Sequence, residues 1–401
     1  MRINNNNFQK NANISLVSRM VWRNPGISRV EIARELSLYR STVTSIVSSL
    51  LEKRVVIEGE EGSGMSKGGR KPITLRLNDQ FGCILGFDIQ PSHYRTVVLN
   101  LCGDVLWHES GSLPQVDFDG ILDFLMGRSM PQVLSLGLPL LAVCAGVPGI
   151  VDADREKIIY AEPFKLHDYD FHAYFKKRYH VLAFIENDAN CTTWLELALN
   201  RNLDLGDFIS IIADYHEGSY QFGDKSGIGV GIGLCVGKKV YAGSHHASGE
   251  ICTFSWREGC PGQSGLPRGL LIDSATENEA WNTWMNDFFS SMVPVLSVID
   301  PQVLFIHGKP FEDESRMDDF FSSHCPQFPA VLKKIGCRMV FNTGDDTVVA
   351  KGAAMMFLER LFSVPELSEM EVESHFSWND VFAQAAYPMK KGYKKGEDFD
   401  E

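Results

Sequence analysis

The sequence predicts an α/β protein in which a small N-terminal winged helix-turn-helix module precedes a larger body of two lobes. Three observations predict this architecture: two short amphipathic helical segments near the N-terminus, a β-hairpin pattern directly after them, and two β-meander patterns further along the chain. The chain has 401 residues, which is too long for one small core and therefore predicts more than one domain.

The helical pair lies in residues 28–51. Ser28 stands three residues before Glu31, which is the spacing of a capping box at a helix start. The second helix has apolar residues at helical spacing on one side and mostly hydroxyl side chains on the other. The apolar set is Val43, Ile46, Val47, Leu50 and Leu51, and the outward set is Arg40, Ser41, Thr42, Thr44, Ser45, Ser48 and Ser49. Such a face suits the DNA major groove, although an ordinary amphipathic hairpin has the same periodicity.

A wing is predicted next. Residues 55–58 read as a strand, residues 59–72 hold four glycines between 62 and 69, and Ile73, Leu75 and Leu77 alternate as a second strand. The loop presents Lys67, Arg70 and Lys71, which are suited to DNA phosphates or the minor groove. We therefore expect the DNA-contacting residues to be Arg40, Ser41, Thr42, Thr44 and Ser45 on the helix, with these three basic residues on the wing.

The charge distribution favours the same division. Residues 1–78 hold 13 Lys and Arg against 6 Asp and Glu, a formal +7, whereas residues 79–401 hold 25 against 45, a formal −20. A basic module next to an acidic body is expected when only the module meets a polyanion, while chance clustering is the plain alternative.

Composition excludes several classes of protein. No apolar run approaches the roughly 20 residues that span a bilayer, and the N-terminus lacks the apolar segment of a signal peptide. We therefore expect a cytoplasmic protein without a membrane partner. The nine cysteines show no C-x-x-C spacing, which predicts reduced thiols rather than disulfides.

The body contains two similar strand patterns. Residues 83–89, 94–99 and 105–108 read as a strand-turn-strand meander, and residues 227–243 repeat the pattern with glycines at alternate positions. Between them, residues 143–152 and 184–190 each run from a strand into glycine or polar residues. Because strand ends beside a cleft are where α/β proteins bind ligands, the sequence predicts a ligand site between two lobes.

These segments, in this order, resemble the ROK family of repressors, open reading frames and sugar kinases, in its transcriptional-repressor branch. The resemblance rests on residues 28–78, Gly146–Asp152, Asn187–Asn190, Gly227–Gly243, Gly249–Glu250, Ile299–Pro301 and Lys351–Ala354. It implies an actin-like (RNase H-type) body, assembly as a homodimer or homotetramer, and a double-stranded DNA operator and a small sugar-like effector as partners.

The chain departs from the family at the nucleotide site. ROK kinases hold ATP phosphates with an acidic-glycine-glycine turn, but here residues 88–92 read Asp-Ile-Gln-Pro-Ser. Pro91 removes an N–H donor and Gln90 adds a side chain where backbone should approach phosphate. No ATP cofactor and no enzymatic activity are therefore expected.

The family's structural zinc site is also missing. Cys252-Thr253 replaces Gly-His, and Gly259, Pro261 and Leu266 occupy the three cysteine positions. Because zinc needs about four nitrogen or sulfur ligands, no metal is expected. A different site made from Cys252 and Cys260 with His245 or His246 is the alternative.

The sugar-contacting positions of the family are partly retained. Asn187, Asp188 and Glu250 match family positions that bind sugar hydroxyls, and Asp188 matches the kinase general base. Thr253 and Arg268 replace a His and a Glu, so the pocket is altered. The plain alternative for Asp188 is that it only caps the helix beginning near residue 189.

The sequence thus predicts a winged helix-turn-helix domain at 1–78, a first lobe at 79–190 completed by a helix near 346–362, a second lobe at 191–345, and a partly disordered tail at 363–401. It predicts a transcriptional regulator of carbohydrate-related genes that acts as a repressor under the control of a sugar-like effector in the cleft. The alternatives are an ATP-dependent sugar kinase with Asp188 as base, and a regulator that no longer binds a sugar.

Overall fold

The computed structural model describes residues 5–61, 72–216, 219–220, 223–224, 227–260, 262–363 and 376–386. Within them, no helix combines the length and the hydropathy needed to cross a membrane. All nine cysteines lie in this part of the chain and are free thiols.

The N-terminal module contains three helices and a three-stranded sheet of order β1-β3-β2. Its elements are α1 (Asn5–Arg23), β1 (Ile27–Ser28), α2 (Arg29–Glu35), α3 (Arg40–Glu52), β2 (Val56–Glu61) and β3 (Ile73–Leu77). The predicted capping box begins α2, since the Ser28 N–H donates to Glu31 Oε2 over 2.8 Å and Ser28 Oγ accepts from the Glu31 N–H over 3.4 Å. The two helices and the two hairpin strands predicted from the sequence are confirmed.

The first lobe is built on a five-stranded sheet of order β11-β7-β4-β5-β6. The predicted meander β4-β5-β6 is antiparallel, β7 pairs in parallel with β4, and β11 pairs in parallel with β7. Its elements are β4 (Cys83–Ile89), β5 (His93–Asn100), β6 (Val105–Ser112), α4 (Phe118–Leu136), β7 (Leu140–Val147), β8 (Ile150–Asp152), β9 (Lys157–Ala161), β10 (Leu166–Asp170), α5 (Phe171–Tyr179) and β11 (Leu182–Asn187).

The second lobe is built on a five-stranded sheet of order β16-β15-β12-β17-β18. Helix α6 (Asp188–Leu199) leads into this lobe from β11, so a continuous helix crosses the boundary predicted at residue 190. The other elements are β12 (Phe208–His216), β13 (Ser219–Tyr220), β14 (Gly223–Asp224), β15 (Gly227–Val236), β16 (Lys239–Val240), α7 (Arg268–Asp273), α8 (Asn278–Ile299), β17 (Val303–His307), α9 (Glu314–Ser323), α10 (Gln327–Ile335) and β18 (Arg338–Phe341).

The chain then returns to the first lobe through α11 (Val348–Phe362), which packs on β4 and β7 and against α6. A further helix, α12 (Trp378–Ala386), follows. Trp378 and Val381 of α12 are buried, because they extend the core that α11 shares with the N-terminal module. The tail that was predicted to be partly disordered thus contains a helix, which was not predicted from the sequence. The disorder predicted for the last dozen residues falls outside the described part of the chain.

Candidate functional site

The exposed face of α3 carries the residues predicted to contact DNA. Arg40, Ser41, Thr44 and Ser45 are exposed and Thr42 is half-buried, whereas the opposite face of the helix packs into the core of the module. Amphipathic packing thus orients the hydroxyl-rich side of α3 outward. The Thr44 hydroxyl donates to the Arg40 carbonyl over 2.8 Å, so its oxygen faces outward as an acceptor.

Tyr39 was not among the predicted contacts, although it stands immediately before this face. Its side chain is 83% exposed, and it provides no side-chain cap for α3. The N-terminal end of a recognition helix is the end that meets base edges. The sequence feature that could have identified Tyr39 as a contact is that it is an aromatic residue in the turn between α2 and α3, outside the apolar repeat of either helix.

The base of the wing is ordered by pairing with the rest of the module. β2 and β3 are antiparallel with a bulge between Glu58 and Glu61. Arg29 of α2 forms an ion pair with Glu58 of β2 over 3.0 Å, which ties the helices to the hairpin. The predicted basic residues Lys67, Arg70 and Lys71 lie outside the described residues, so their DNA contacts stay predictions.

The module is joined to the body through a continuous apolar core. The rings of Trp22 in α1 and Phe362 in α11 lie 4.8 Å apart, and Trp22 Nε1 donates to the Cys102 carbonyl over 3.1 Å. Beside them, Arg19 of α1 pairs with the buried Glu359 of α11 over 3.7 Å. The N-terminal module is therefore packed directly against the helix that completes the first lobe.

The predicted effector residues gather at the start of α6, where Asn187 rather than Asp188 is the N-cap. Asn187 Oδ1 accepts from the backbone N–H groups of Ala189 and Asn190 over 2.9 and 3.1 Å, and its amide nitrogen donates to the Gly149 carbonyl over 2.9 Å. These bonds already engage the Asn187 oxygen. Effector binding by Asn187 therefore stays a prediction. Its amide nitrogen has one N–H left that could donate to an effector.

Asp188 points toward the first lobe and is half-buried. One carboxylate oxygen accepts from the Ala189 N–H over 2.9 Å, and the other accepts from Gln90 Nε2 over 3.1 Å. Burial raises the pKa of Asp188 to about 6; the charges of Asp88 and Glu250 act in the same direction, while the hydrogen bond from Gln90 opposes them. Asp188 and Glu250 are therefore electrostatic neighbours, as a shared ligand site requires.

Glu250 approaches this site from the second lobe because the preceding residue is glycine. Gly249 has φ +91°, and a Cβ there would lie 1.8 Å from the Ile232 carbonyl oxygen, so the loop lies directly on β15. The Glu250 residue is exposed, but partial desolvation of its carboxyl by the surrounding loop raises the pKa of that group. In the same loop, His246 Nε2 lies 3.6 Å from Asp152 Oδ2 of the first lobe. The loop that carries Glu250 thus also contacts the first lobe.

In residues 88–92, which replace the phosphate-binding turn of the kinases, side chains form hydrogen bonds with one another and with Arg95. Gln90 Nε2 also donates to Asp88 Oδ1 over 2.9 Å, and Arg95 Nη1 donates to Asp88 Oδ2 over 2.9 Å. Arg95 Nη2 donates to Asp214 of the second lobe over 2.9 Å. Asp88 is fully buried and Arg95 is 12% exposed. Arg95 and Asp214 were not predicted as site residues. The sequence feature that could have identified Arg95 is a charged residue within the apolar strand that follows residues 88–92.

The loop at the family's zinc position is held by hydrogen bonds instead. Ser255 Oγ and Ser264 Oγ both donate to Asp287 Oδ2 of α8, over 2.7 and 2.8 Å, and Thr253 Oγ1 lies 3.1 Å from Ser255 Oγ. In the described residues, no three His, Cys, Asp or Glu side chains are grouped as metal ligands. The alternative site around Cys252 and Cys260 is therefore not assembled there.

The other altered positions differ in exposure. Thr253 is buried, whereas Arg268 is exposed at the first turn of α7. Among the aromatic residues nearby, Trp281 and Trp284 are core residues and Phe254 is 62% exposed.

Two families match separate parts of the chain. Residues 9–57 match the winged helix-turn-helix DNA-binding family, and residues 92–254 match the ROK family. The xylose repressor of Staphylococcus xylosus is 29% identical over 247 residues, which cover 61% of this chain and 61% of that protein. The xylose repressor of Bacillus subtilis is 29% identical over 63% of this chain and 62% of its own length. The DNA-binding transcriptional dual regulator NagC of Escherichia coli is 23% identical over 62% of this chain and 59% of its own length.

Solved structures support the fold. A ROK family transcriptional regulator homologous to the Escherichia coli MLC protein superposes with a TM-score of 0.68 at 14% identity, covering 88% of this chain and 97% of that chain. A ROK family glucokinase from Streptomyces griseus, in complex with glucose and AMPPNP, gives a TM-score of 0.51 at 18% identity over 69% of this chain and 99% of that chain. The predicted fold class, a winged helix-turn-helix followed by a two-lobed α/β body with the fold of these ROK proteins, is confirmed.

Proposed function

We propose that this chain, in which a winged helix-turn-helix domain precedes a body of the ROK family, is a DNA-binding transcriptional repressor of carbohydrate-related genes. Its sequence relatives are regulators. The matched region spans less than two thirds of the two xylose repressors, 61% and 62% of their lengths, so the activity of the whole chain is part of the proposal. Operator DNA is the partner, and a cytoplasmic location follows from that role.

The single observation that carries the proposal is the exposed face of α3, with Arg40, Ser41, Thr44 and Ser45 beside the hairpin of β2 and β3. An arginine can bond two acceptors of guanine in the major groove, and hydroxyls are short enough to reach phosphates or base edges. In a homodimer, two such helices would read half-sites about 34 Å apart along the DNA.

The effector in this proposal is a sugar or sugar derivative bound between Asp188 and Glu250. Carboxylates accept paired hydrogen bonds from vicinal hydroxyls. Asp188 begins α6 directly after β11 of the first sheet, and Glu250 lies in the loop that packs on β15 of the second sheet. A ligand that contacts both lobes changes their relative position, which supports control of the module packed on α11. Whether the pocket still accepts a sugar is tested by measuring DNA binding with and without sugars.

The absence of enzymatic activity is also proposed. Phosphoryl transfer depends on positioning phosphates and metal, and the corresponding turn here holds the buried Asp88–Arg95 ion pair instead of glycine backbone. A sugar kinase with Asp188 as base remains the alternative class. Incubation with ATP, Mg²⁺ and a panel of hexoses separates the two, because sugar phosphate formation that Asp188→Asn abolishes would establish the kinase.

The DNA-binding proposal is tested by fluorescence anisotropy on DNA taken from upstream of the gene for this chain. Arg40→Ala is expected to weaken specific binding by about 1–3 kcal/mol, roughly 5- to 150-fold, because a base or phosphate contact is lost. Replacing Lys67, Arg70 and Lys71 together by Gln should lower the slope of log K against log salt by about 0.9 for each phosphate contact removed.

The matched control is Arg128→Ala, which removes an exposed arginine paired with Glu109 in the first lobe. It is expected to bind DNA as the wild type does. Equal binding by the wild type, Arg40→Ala and the wing variant would contradict the assignment of the DNA-binding face.

A further inference from the structure

An unbroken series of hydrogen bonds connects the effector site to the contact between the lobes. It begins at Asp188 Oδ2, which accepts from Gln90 Nε2 over 3.1 Å, and continues through Asp88 Oδ1, which accepts from the same nitrogen over 2.9 Å. Asp88 Oδ2 then accepts from Arg95, and Arg95 donates to Asp214, each over 2.9 Å. These five residues are called the Gln90 relay.

The relay crosses from one lobe to the other. Asp88 and Arg95 lie opposite each other on β4 and β5 of the first sheet, while Asp214 lies on β12 of the second. Arg95 therefore bridges a carboxylate of each lobe with two different nitrogens of one guanidinium. Such charge-assisted hydrogen bonds are among the stronger polar contacts, and low exposure reduces their screening by solvent.

The bridge is reinforced from neighbouring elements. His93 Nε2 lies 3.6 Å from Asp214 Oδ2, and Asp346 Oδ2 lies 4.0 Å from Arg95 Nε. Burial would raise the pKa of Asp214, but the hydrogen bond from Arg95 and the neighbouring His93 imidazole hold it below its usual range. Asp214 is therefore a carboxylate at neutral pH, as an ion pair with Arg95 requires.

At the effector end of the relay, a bound sugar would compete with Gln90 for the Asp188 carboxylate. A sugar hydroxyl that donates to Asp188 Oδ2 shares the oxygen that accepts from Gln90 Nε2, and it weakens or displaces that hydrogen bond. Because Gln90 holds Asp88 with the same nitrogen, loss of the Asp188 contact frees Gln90 and Asp88 to move, and Asp88 positions Arg95.

We propose that the Gln90 relay transmits occupancy at Asp188 to the Arg95–Asp214 bridge and so sets the separation of the two lobes. Gln90 and Arg95 are positioning residues in this role, since they act through Asp88 and Asp214. The inference rests on the proposed function only in naming a sugar as the occupant at Asp188.

The test measures the distance between the lobes in the full chain without DNA and without sugar. Spin labels are attached to a non-natural amino acid at Leu134 and Val298, because the nine native cysteines preclude thiol labelling. These helix positions are 38% and 80% exposed and lie on α4 of the first lobe and α8 of the second. Double electron–electron resonance then reports the distance distribution.

Arg95→Gln is expected to give a longer and broader distribution than the wild type, and Asp214→Asn to reproduce it, because each removes one half of the bridge. Gln90→Met keeps a similar side-chain length, removes both donated hydrogen bonds, and should shift the distribution in the same direction to a smaller extent. Arg128→Gln is the control, since it breaks an ion pair within one lobe. Far-UV circular dichroism establishes that each variant is folded.

Folded Arg95→Gln and Asp214→Asn with the distribution of Arg128→Gln would overturn the bridge. A shift in those two variants together with an unchanged Gln90→Met would overturn the relay. Neither result affects the DNA-binding proposal, which is measured separately by operator binding, so the two can fail independently.

Discussion

At the scale of single residues, Asp188 has three structural features that the sequence pattern alone does not distinguish. It is the first residue of α6, it accepts from Gln90 of the first lobe, and it lies within the electrostatic reach of Glu250. A helix start was predictable from the sequence, but the cap itself is Asn187. The two residues are adjacent and both types are common caps, so only the backbone geometry distinguishes them.

The raised pKa of Asp188 predicts a pH-dependent contribution to stability. The group has a folded pKa of about 6 against an ordinary value of 3.8, so between these values the folded state binds more protons than the unfolded state. The free energy of unfolding therefore falls as the pH rises through this window, by up to about 3 kcal/mol. Asp188→Asn should remove this loss, so that the variant gains stability relative to wild type between about pH 4 and pH 6.5.

Urea unfolding of both proteins across that range measures the difference. A difference in unfolding free energy that stays constant with pH would contradict the raised pKa. Asp119→Asn is a suitable control, because this carboxylate accepts from Tyr169 on the surface of the first lobe and is remote from the cleft.

Only part of the Gln90 relay could be predicted from the sequence. The loss of the phosphate turn was visible in Gln90 and Pro91, because each changes the backbone that would meet a phosphate. The Arg95–Asp214 contact was not visible, since its partners lie 119 residues apart and are brought together only by the packing of two sheets.

At the scale of elements, the contact of α6 with α11 depends on Gly352. A Cβ at this position would lie 1.9 Å from the Cys191 carbonyl oxygen, and that carbonyl belongs to helix backbone that cannot yield easily. Glycine normally weakens a helix by about 1 kcal/mol relative to alanine, so its presence inside α11 has a packing reason. Both helices were expected, α6 from a possible capping residue at its start and α11 from the family resemblance, but the sequence contained no sign of how closely they approach.

Gly352→Ala is predicted to lower the free energy of unfolding by about 1–3 kcal/mol, the usual cost of overpacking, despite the better helix propensity of alanine. Gly127→Ala is the matched control, because Gly127 also lies within a helix, α4, and a Cβ there would meet no atom within 4 Å. The control should be neutral or stabilised by up to about 1 kcal/mol. Equal stability changes in the two variants would contradict the close packing of α6 and α11.

At the scale of the whole molecule, the N-terminal module and the body share one hydrophobic core. Val17, Val21 and Trp22 of α1 belong to the same cluster as Phe362 of α11 and Trp378 of α12. The charge split in the sequence predicted a separate basic module. It could not predict this packing, because the joining residues are apolar and come from both ends of the chain.

Trp22→Ala is predicted to destabilise the chain by about 3–5 kcal/mol and to raise hydrogen exchange in both α1 and α11, because a cavity opens between them. Tyr39→Ala, at an aromatic residue of the same module that is 83% exposed, should leave exchange in both helices unchanged. Faster exchange confined to α1 after Trp22→Ala would show that the module is not coupled to the body through this core.

The most direct test of sugar-controlled DNA binding is the affinity of the full chain for its upstream DNA, measured with and without a panel containing D-xylose, N-acetylglucosamine and hexoses. One of these sugars is predicted to change the dissociation constant by roughly 5- to 150-fold, the usual range of allosteric coupling. Asp188→Asn and Glu250→Ala are predicted to keep DNA binding and lose the response. A chain that binds this DNA equally under every condition, or that binds no DNA while phosphorylating a sugar, would contradict the account.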